Sequence, residues 1–204
     1  AFEAVGIVLL LFAFVPQFGA EGVWVSVFTA ISAFCNAGFD LFGRFGAYSS
    51  LVPYVNNYYV QAVIMFMIMA GGLGFMVWVE LAEYRKKRRL SLHAKVVLQF
   101  SVIFWVGGAV LLALLEWSNP RTMGGLSVPG KIMAALFQSV STRTAGMNTI
   151  DLAACSPISK LLMSVLQFIG AAPGSTGGGV KVTTFAVLIL TIRSVAQGRD
   201  DCVI

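Results

Sequence analysis

SAFCNAGF, Ser32 to Phe39, and STRTAGM, Ser141 to Met147, are two copies of one short pattern placed far apart in the chain. Each follows a short apolar segment, beginning at Phe28 or at Phe137, and each carries an Ala-Gly step, Ala37-Gly38 and Ala145-Gly146. Longer hydrophobic stretches flank both copies. A pattern that returns in matching surroundings marks a duplicated structural unit. The unit reads as hydrophobic helix, short re-entrant helix, glycine turn, hydrophobic helix. That order belongs to membrane pores.

Composition sets the same frame. The 204 residues are 58% hydrophobic and only 11% charged, with a mean hydropathy of +0.85. A soluble domain carries roughly 25% charged residues, so this chain cannot cover a water-exposed surface and is expected to be an all-α integral membrane protein. The net charge of +5 does not point to nucleic acid, because five of the fourteen cations form one run, Arg85-Lys86-Lys87-Arg88-Arg89, directly after a hydrophobic span. Such a run reads as a cytoplasmic anchor at lipid headgroups. Three cysteines without metal spacing and a single histidine argue against a disulfide scaffold or a zinc site. The chain opens at Ala1 inside an apolar run and stops soon after another, so both ends read as cuts through a longer protein.

Four hydrophobic segments organise the chain. Ala1 to Val15 is short for a crossing, which takes roughly 20 residues. Tyr58 to Val79 and Val96 to Trp117 read as full spans, and Pro157 to Ile192 is too long for one helix and is interrupted by Gly170 to Gly179. Between them, apolar stretches near Trp24–Phe34 and Ile132–Val140 have only re-entrant length. The loop Glu80 to Lys95 concentrates Lys and Arg, which places it in the cytoplasm. Both re-entrant segments then enter from outside, and the tail with Arg193 and Arg199 returns inside.

Backbone that is not helical survives at membrane depth only where protein surrounds it or water reaches it. A half-length helix entering from outside points its partially negative C-terminal end at the membrane centre, which favours a cation there. A glycine turn following it exposes successive carbonyl oxygens that replace a cation's hydration shell. The expected ligands are the carbonyls of Asn36, Ala37 and Gly38, and of Thr144, Ala145 and Gly146.

Three segments then resemble a family: SAFCNAGFDLFG (Ser32 to Gly43), STRTAGMNTIDL (Ser141 to Leu152) and FIGAAPGSTGGGVK (Phe168 to Lys181). They are similar to the signature segments of the Trk/Ktr/HKT superfamily of potassium transporters, and most of all to the Ktr-type membrane subunit. The resemblance runs over nearly the whole chain. It departs at Met147, where relatives usually carry Phe, and at Ala172, where many carry Ser. It implies four M1–pore helix–M2 repeats around one pore, of which this chain resembles the second (residues 1–83, with M1 truncated) and the third (residues 96–195). A basic loop (84–95) joins them, and residues 196–204 begin a cytoplasmic connection. Implied function is potassium uptake across the plasma membrane by a multi-pass protein, with a sodium-selective or sodium-coupled member as the alternative. No cofactor is implied beyond potassium and sodium as transported or coupling ions. Implied partners are a second copy in a homodimer and a cytoplasmic nucleotide-binding regulatory ring.

The Gly-rich break holds Gly170, Pro173, Gly174, Ser175, Thr176, Gly177, Gly178 and Gly179. A phosphate-binding loop needs Gly, four residues, then Gly-Lys-Ser/Thr; here Val180 follows Gly179 and Lys181 comes one residue late. The resemblance implies a flexible intramembrane loop beneath the filter, acting as the gate. Ser175 and Thr176 suit bonds to freed backbone groups. Lys181 admits two readings, a place at the cytoplasmic mouth or snorkelling to headgroups.

Other residues carry less. Arg143 beside the second turn is expected to pair with a carboxylate or carbonyl. Asp40 and Asp151 read either as attractors of cations at the outer mouth or as solvated loop acids. Glu116 is expected at the interface, His93 at the surface, and Cys35 as a small packed residue. An intramembrane enzyme needs a nucleophile with a base or paired acids at membrane depth, and neither arrangement stands in a span. A non-transporting membrane scaffold is the remaining alternative.

Overall fold

The longest helix, α5 (Leu92–Glu116), is the one described helix that is both long and apolar enough by itself to cross a membrane. Its 25 residues rise about 37 Å at 1.5 Å each, against a hydrocarbon core of about 30 Å. The computed structural model describes residues 1–46 and 49–197. The other described α-helices are α1 (Phe2–Phe18), α2 (Glu21–Phe34), α3 (Tyr58–Leu73), α4 (Phe75–Lys87), α6 (Val128–Thr142), α7 (Pro157–Phe168) and α8 (Val182–Ala196). The α2 and α6 helices, with 14 and 15 residues, rise only about 21 and 22 Å and cannot cross. They have the length expected of re-entrant segments.

Local sequence sets the starts. Asn57, Ser91, Ser127 and Ser156 each accept a hydrogen bond from an amide in the first turn of the helix they precede. A short polar side chain there satisfies an amide that has no helical partner. Pro157 opens α7, where its missing N–H costs nothing.

Duplication is visible in packing: α1 lies on α2 as α5 lies on α6, and α2 and α6 then meet α3 and α7 respectively. Small residues permit the close approach, as they do where lipid gives helices no hydrophobic reason to associate. At Gly108 of α5 the chain passes Ser139 of α6, whose hydroxyl donates to the carbonyls of Phe104 and Trp105 at 3.1 and 2.8 Å. Helix α3 is the pillar between the halves, burying Val60, Ile64, Met67 and Ile68 against α1, α2 and α6.

One expected span is corrected. Tyr58 to Val79 is not a single helix: α3 ends at Leu73 and α4 leaves it at 97°. Gly74 makes the corner at φ 82°. The corner is held from outside, because the Phe75 amide donates to the Gly174 carbonyl at 3.2 Å. The α5 span also starts earlier than Val96, at Leu92. Of the expected connection 196–204, only Ala196 and Gln197 fall within the described residues.

Between α7 and α8 the chain is non-helical, and it closes on itself. The Gly170 amide donates to the Val180 carbonyl (2.9 Å) and the Val180 amide to the Phe168 carbonyl (3.0 Å), with Ile169 and Val180 forming a parallel bridge.

Candidate functional site

The two Ala-Gly turns lie at the C-terminal ends of the two short helices and face each other. In the first, Asn36 and Gly38 have left-handed backbone, φ 50° and 77°; in the second, Thr144 and Gly146 repeat it, φ 74° and 81°. Left-handed dihedrals are readily adopted by glycine and tolerated by asparagine, but cost a β-branched residue such as Thr. In each turn the alanine amide bonds back to a carbonyl of the helix, Ala37 to Ser32 and Ala145 to Ser141, both at 2.9 Å. A serine hydroxyl ties the far side: Ser32 Oγ donates to the Phe39 carbonyl at 2.6 Å, and Ser141 Oγ donates to the Met147 carbonyl. The turns touch at their glycines. A Cβ on Gly38 would stand 2.7 Å from the Ala145 carbonyl oxygen and 3.3 Å from Gly146 Cα.

The Gly-rich segment sits against both turns. Asn36 Nδ2 donates to Thr176 Oγ1 at 2.8 Å, and the Gly178 amide donates to Thr144 Oγ1 at 3.2 Å. Lys181 Nζ donates to the Gly177 carbonyl at 2.7 Å, so this cation closes its own loop. Ser175 Oγ donates to the Ala172 carbonyl. Pro173 and Gly174 form the tip that meets the α3–α4 corner. The sequence-derived residues of both groups are therefore brought together in one place.

Arg143 finds a carbonyl, as its position suggested. It is buried, its Nη2 donates to the Gly170 carbonyl at 2.6 Å, and its guanidinium lies 5.5 and 5.8 Å from the rings of Phe104 and Trp105. Asp40 and Asp151 each accept from the amide two residues ahead, Phe42 and Ala153, at 2.9 and 2.8 Å. Those bonds make local turns and use one carboxylate oxygen of each. Cys35 is exposed rather than packed, because the last turn of α2 directs it into an apolar recess of about 210 Å³ with Trp24, Phe28, Ile31 and Phe39. On its counterpart side, a cleft of about 540 Å³ beside the second turn mixes polar Gln138, Thr144, Lys160 and Gln167 with apolar Met147 and Met163.

Two features escaped the sequence reading. Glu116 is fully buried and accepts from Asn119 Nδ2, Thr122 Oγ1, the Ser156 amide and Ser159 Oγ, at 2.6, 2.7, 2.8 and 2.5 Å. It fastens the end of α5 to the start of α7. The second is AGGLG, Ala70 to Gly74, whose carbonyls receive the Gly-rich loop: the Ala172 amide donates to Gly72 (3.0 Å) and the Thr176 amide to Gly71 (3.2 Å). Three glycines in five residues were the available signal.

Comparison with known proteins supplies the family and the fold. The family model described as "TrkH: Cation transport protein" matches residues 1–202. The potassium/sodium uptake protein NtpJ of Enterococcus hirae is 37% identical over 97% of this chain and 43% of its own length. Ktr system potassium uptake protein B of Vibrio alginolyticus is 41% identical over 92% of this chain and 41% of its own. The crystal structure of the potassium transporter TrkH from Vibrio parahaemolyticus superposes with a TM-score of 0.77 over all of this chain and 41% of that one, at 20% identity, and shows the same fold. The chain thus spans well under half the length of the proteins it matches. These relatives are cation transporters rather than enzymes, and with the family model covering residues 1–202 the chain belongs to the TrkH family of membrane cation transport proteins.

Proposed function

We propose that the chain supplies two of the walls of a potassium path in a longer uptake protein. The carbonyls of Asn36, Ala37, Gly38, Thr144, Ala145 and Gly146 act as ligands for a partly dehydrated potassium ion. The segment Gly170 to Gly179, with Lys181 at its base, acts as the gate beneath them. The observation that carries this reading is the shared backbone of the two turns, left-handed at Asn36 and Gly38 and again at Thr144 and Gly146, at the ends of half-length helices that meet. Left-handed residues on both sides of each alanine take these carbonyls out of helical pairing, and a carbonyl filter is built from such backbone oxygens.

The rest of the reading follows the family. Residues 1–83 and 96–195 are two pore repeats joined by a cytoplasmic basic loop, 84–95, in a multi-pass protein of the plasma membrane. The complete protein forms a homodimer and is regulated by a nucleotide-binding ring docked on its cytoplasmic face. Sodium selection or sodium coupling is the second reading, favoured by the NtpJ relative, whose name includes both ions.

The test is Gly146→Ser in the complete parent chain, with potassium and sodium uptake followed in cells that lack other potassium uptake. Lower potassium affinity or a lower potassium-over-sodium preference is expected, and unchanged uptake kinetics would remove the filter assignment. In the same assay, deleting Gly174 to Gly179 raises flux if the loop is the gate, and unchanged flux removes that role.

A further inference from the structure

We infer that Thr176, on the Gly-rich loop, is a positioning residue for the first turn, so that the loop sets ion preference as well as flow. This rests on reading the two turns as the ion path.

One hydroxyl holds two points of that turn. Thr176 Oγ1 donates to the Phe34 carbonyl at 2.8 Å and accepts from Asn36 Nδ2 at 2.8 Å. Phe34 is the last residue of α2, where a carbonyl has no helical amide to receive. Asn36 is the first left-handed residue of the turn. The Phe34–Cys35 peptide and the Asn36 side chain are therefore both tied to one hydroxyl, 142 and 140 positions away. Thr176 is itself anchored, because its amide donates to the Gly71 carbonyl at 3.2 Å. The fit leaves no slack: a Cβ on Gly71 would stand 1.9 Å from the Phe34 oxygen and 2.7 Å from Thr176 Oγ1.

Ion preference in a carbonyl filter depends on where the oxygens sit and how firmly they are held. Losing the hydroxyl frees the Phe34 carbonyl and the Asn36 amide together, and the turn relaxes. A loop that only blocked the path would change flux and leave preference alone. A loop that also carries the brace changes both.

The experiment uses the complete parent protein in liposomes, with rubidium and sodium uptake measured to give KM, maximal rate and the preference between the ions. Thr176→Val keeps the volume and removes the hydroxyl; Thr176→Ser keeps the hydroxyl. The expected result is a preference for rubidium about fivefold lower in Thr176→Val, the factor set by roughly 1 kcal/mol of hydrogen bond, with Thr176→Ser near wild type. Asn36→Gly, which suits the left-handed backbone and removes the amide donor together with the rest of the side chain, shifts preference in the same direction and covers the case in which Thr176→Val does not assemble. A change in maximal rate with preference intact in both variants would overturn the inference while leaving the ion-path reading in place. If Gly146→Ser also left preference intact, the ion-path reading would fall and take the inference with it.

Discussion

At the place before each left-handed pair the two turns carry different residues and find different surroundings. The first has Cys35, exposed beside an apolar recess. The second has Arg143, buried and bonded to the Gly170 carbonyl. The second turn is braced by its own half of the chain, through Arg143 to Gly170 and Thr144 to Gly178, both within 34 positions. The first is braced by the other half, through Asn36 and Thr176. Two copies of a unit can thus keep one backbone while sharing a single support. The glycine-rich segment occurs in one copy, and in the other the corresponding helix has become its receiver at Gly71 to Gly74.

The largest expected effect comes from removing the brace that only the second turn has. A buried guanidinium bonded to a neutral carbonyl is costly to place at membrane depth. Among the described residues its Nε has no partner, so the bond to Gly170 and the contact with Phe104 and Trp105 must offset that cost. Arg143→Ala removes both and opens a cavity, a loss of about 2 to 4 kcal/mol. The apparent melting temperature of the detergent-purified parent is expected to fall by about 2 to 4 °C. At the matching place in the first turn, Cys35→Ala is expected to stay within about 0.5 kcal/mol. Equal shifts for the two variants would erase the difference between the turns.

The glycines differ next. A Cβ at Gly38 meets the Ala145 carbonyl oxygen at 2.7 Å, whereas one at Gly146 meets only Gly38 Cα, at 3.4 Å. Both positions share the left-handed strain, about 1 kcal/mol or more for a side chain. Gly38→Ser adds a collision with backbone that cannot rotate away. It is expected to raise the KM for potassium at least several-fold more than Gly146→Ser does, measured side by side in the same uptake assay. The reverse order would mean that the contact between the turns is not what limits them.

Much of this was legible because glycine marks backbone directly. The Ala-Gly steps at Gly38 and Gly146, and the run from Gly170 to Gly179, show where helices cannot continue. Length then separated α2 and α6 from α5, the one described helix long and apolar enough to cross by itself. The corner at Gly74 was not legible from hydropathy, since Tyr58 to Val79 is apolar on both sides of it and apolarity carries no direction. The glycines of Ala70 to Gly74 held the signal, and only the loop arriving from Ala172 to Thr176 shows what they receive. Arg143 announced a need for a partner, yet its partner is the carbonyl of Gly170, a group every residue has. Cys35 was misplaced, and the bonds of Glu116 were unforeseen, for a related reason: which way a side chain turns at a helix end depends on the neighbouring elements. Glu116 finds four donors on the loop after α5 and at the start of α7, and their convergence is a product of the fold.

The smallest effect tests how evenly the loop supports the two turns. Thr144 Oγ1 receives one amide, from Gly178, at 3.2 Å, whereas Thr176 Oγ1 makes two bonds at 2.8 Å. Thr144→Val keeps the branched shape and the strained left-handed backbone and removes one neutral bond. Arg143 still ties the same turn to Gly170 from the adjacent position. The expected change in ion preference is about twofold, below the fivefold of Thr176→Val, since one neutral bond with a parallel brace contributes toward the lower end of about 0.5 to 1.5 kcal/mol. Combining Thr144→Val with Arg143→Met removes both ties while filling most of the arginine's volume. That double variant is expected to shift preference by more than the product of the single effects, because each bond alone holds the turn when the other is gone. Strict additivity would show that Arg143 supports the helix packing and not the turn, leaving Thr176 as the one brace that reaches the ion path.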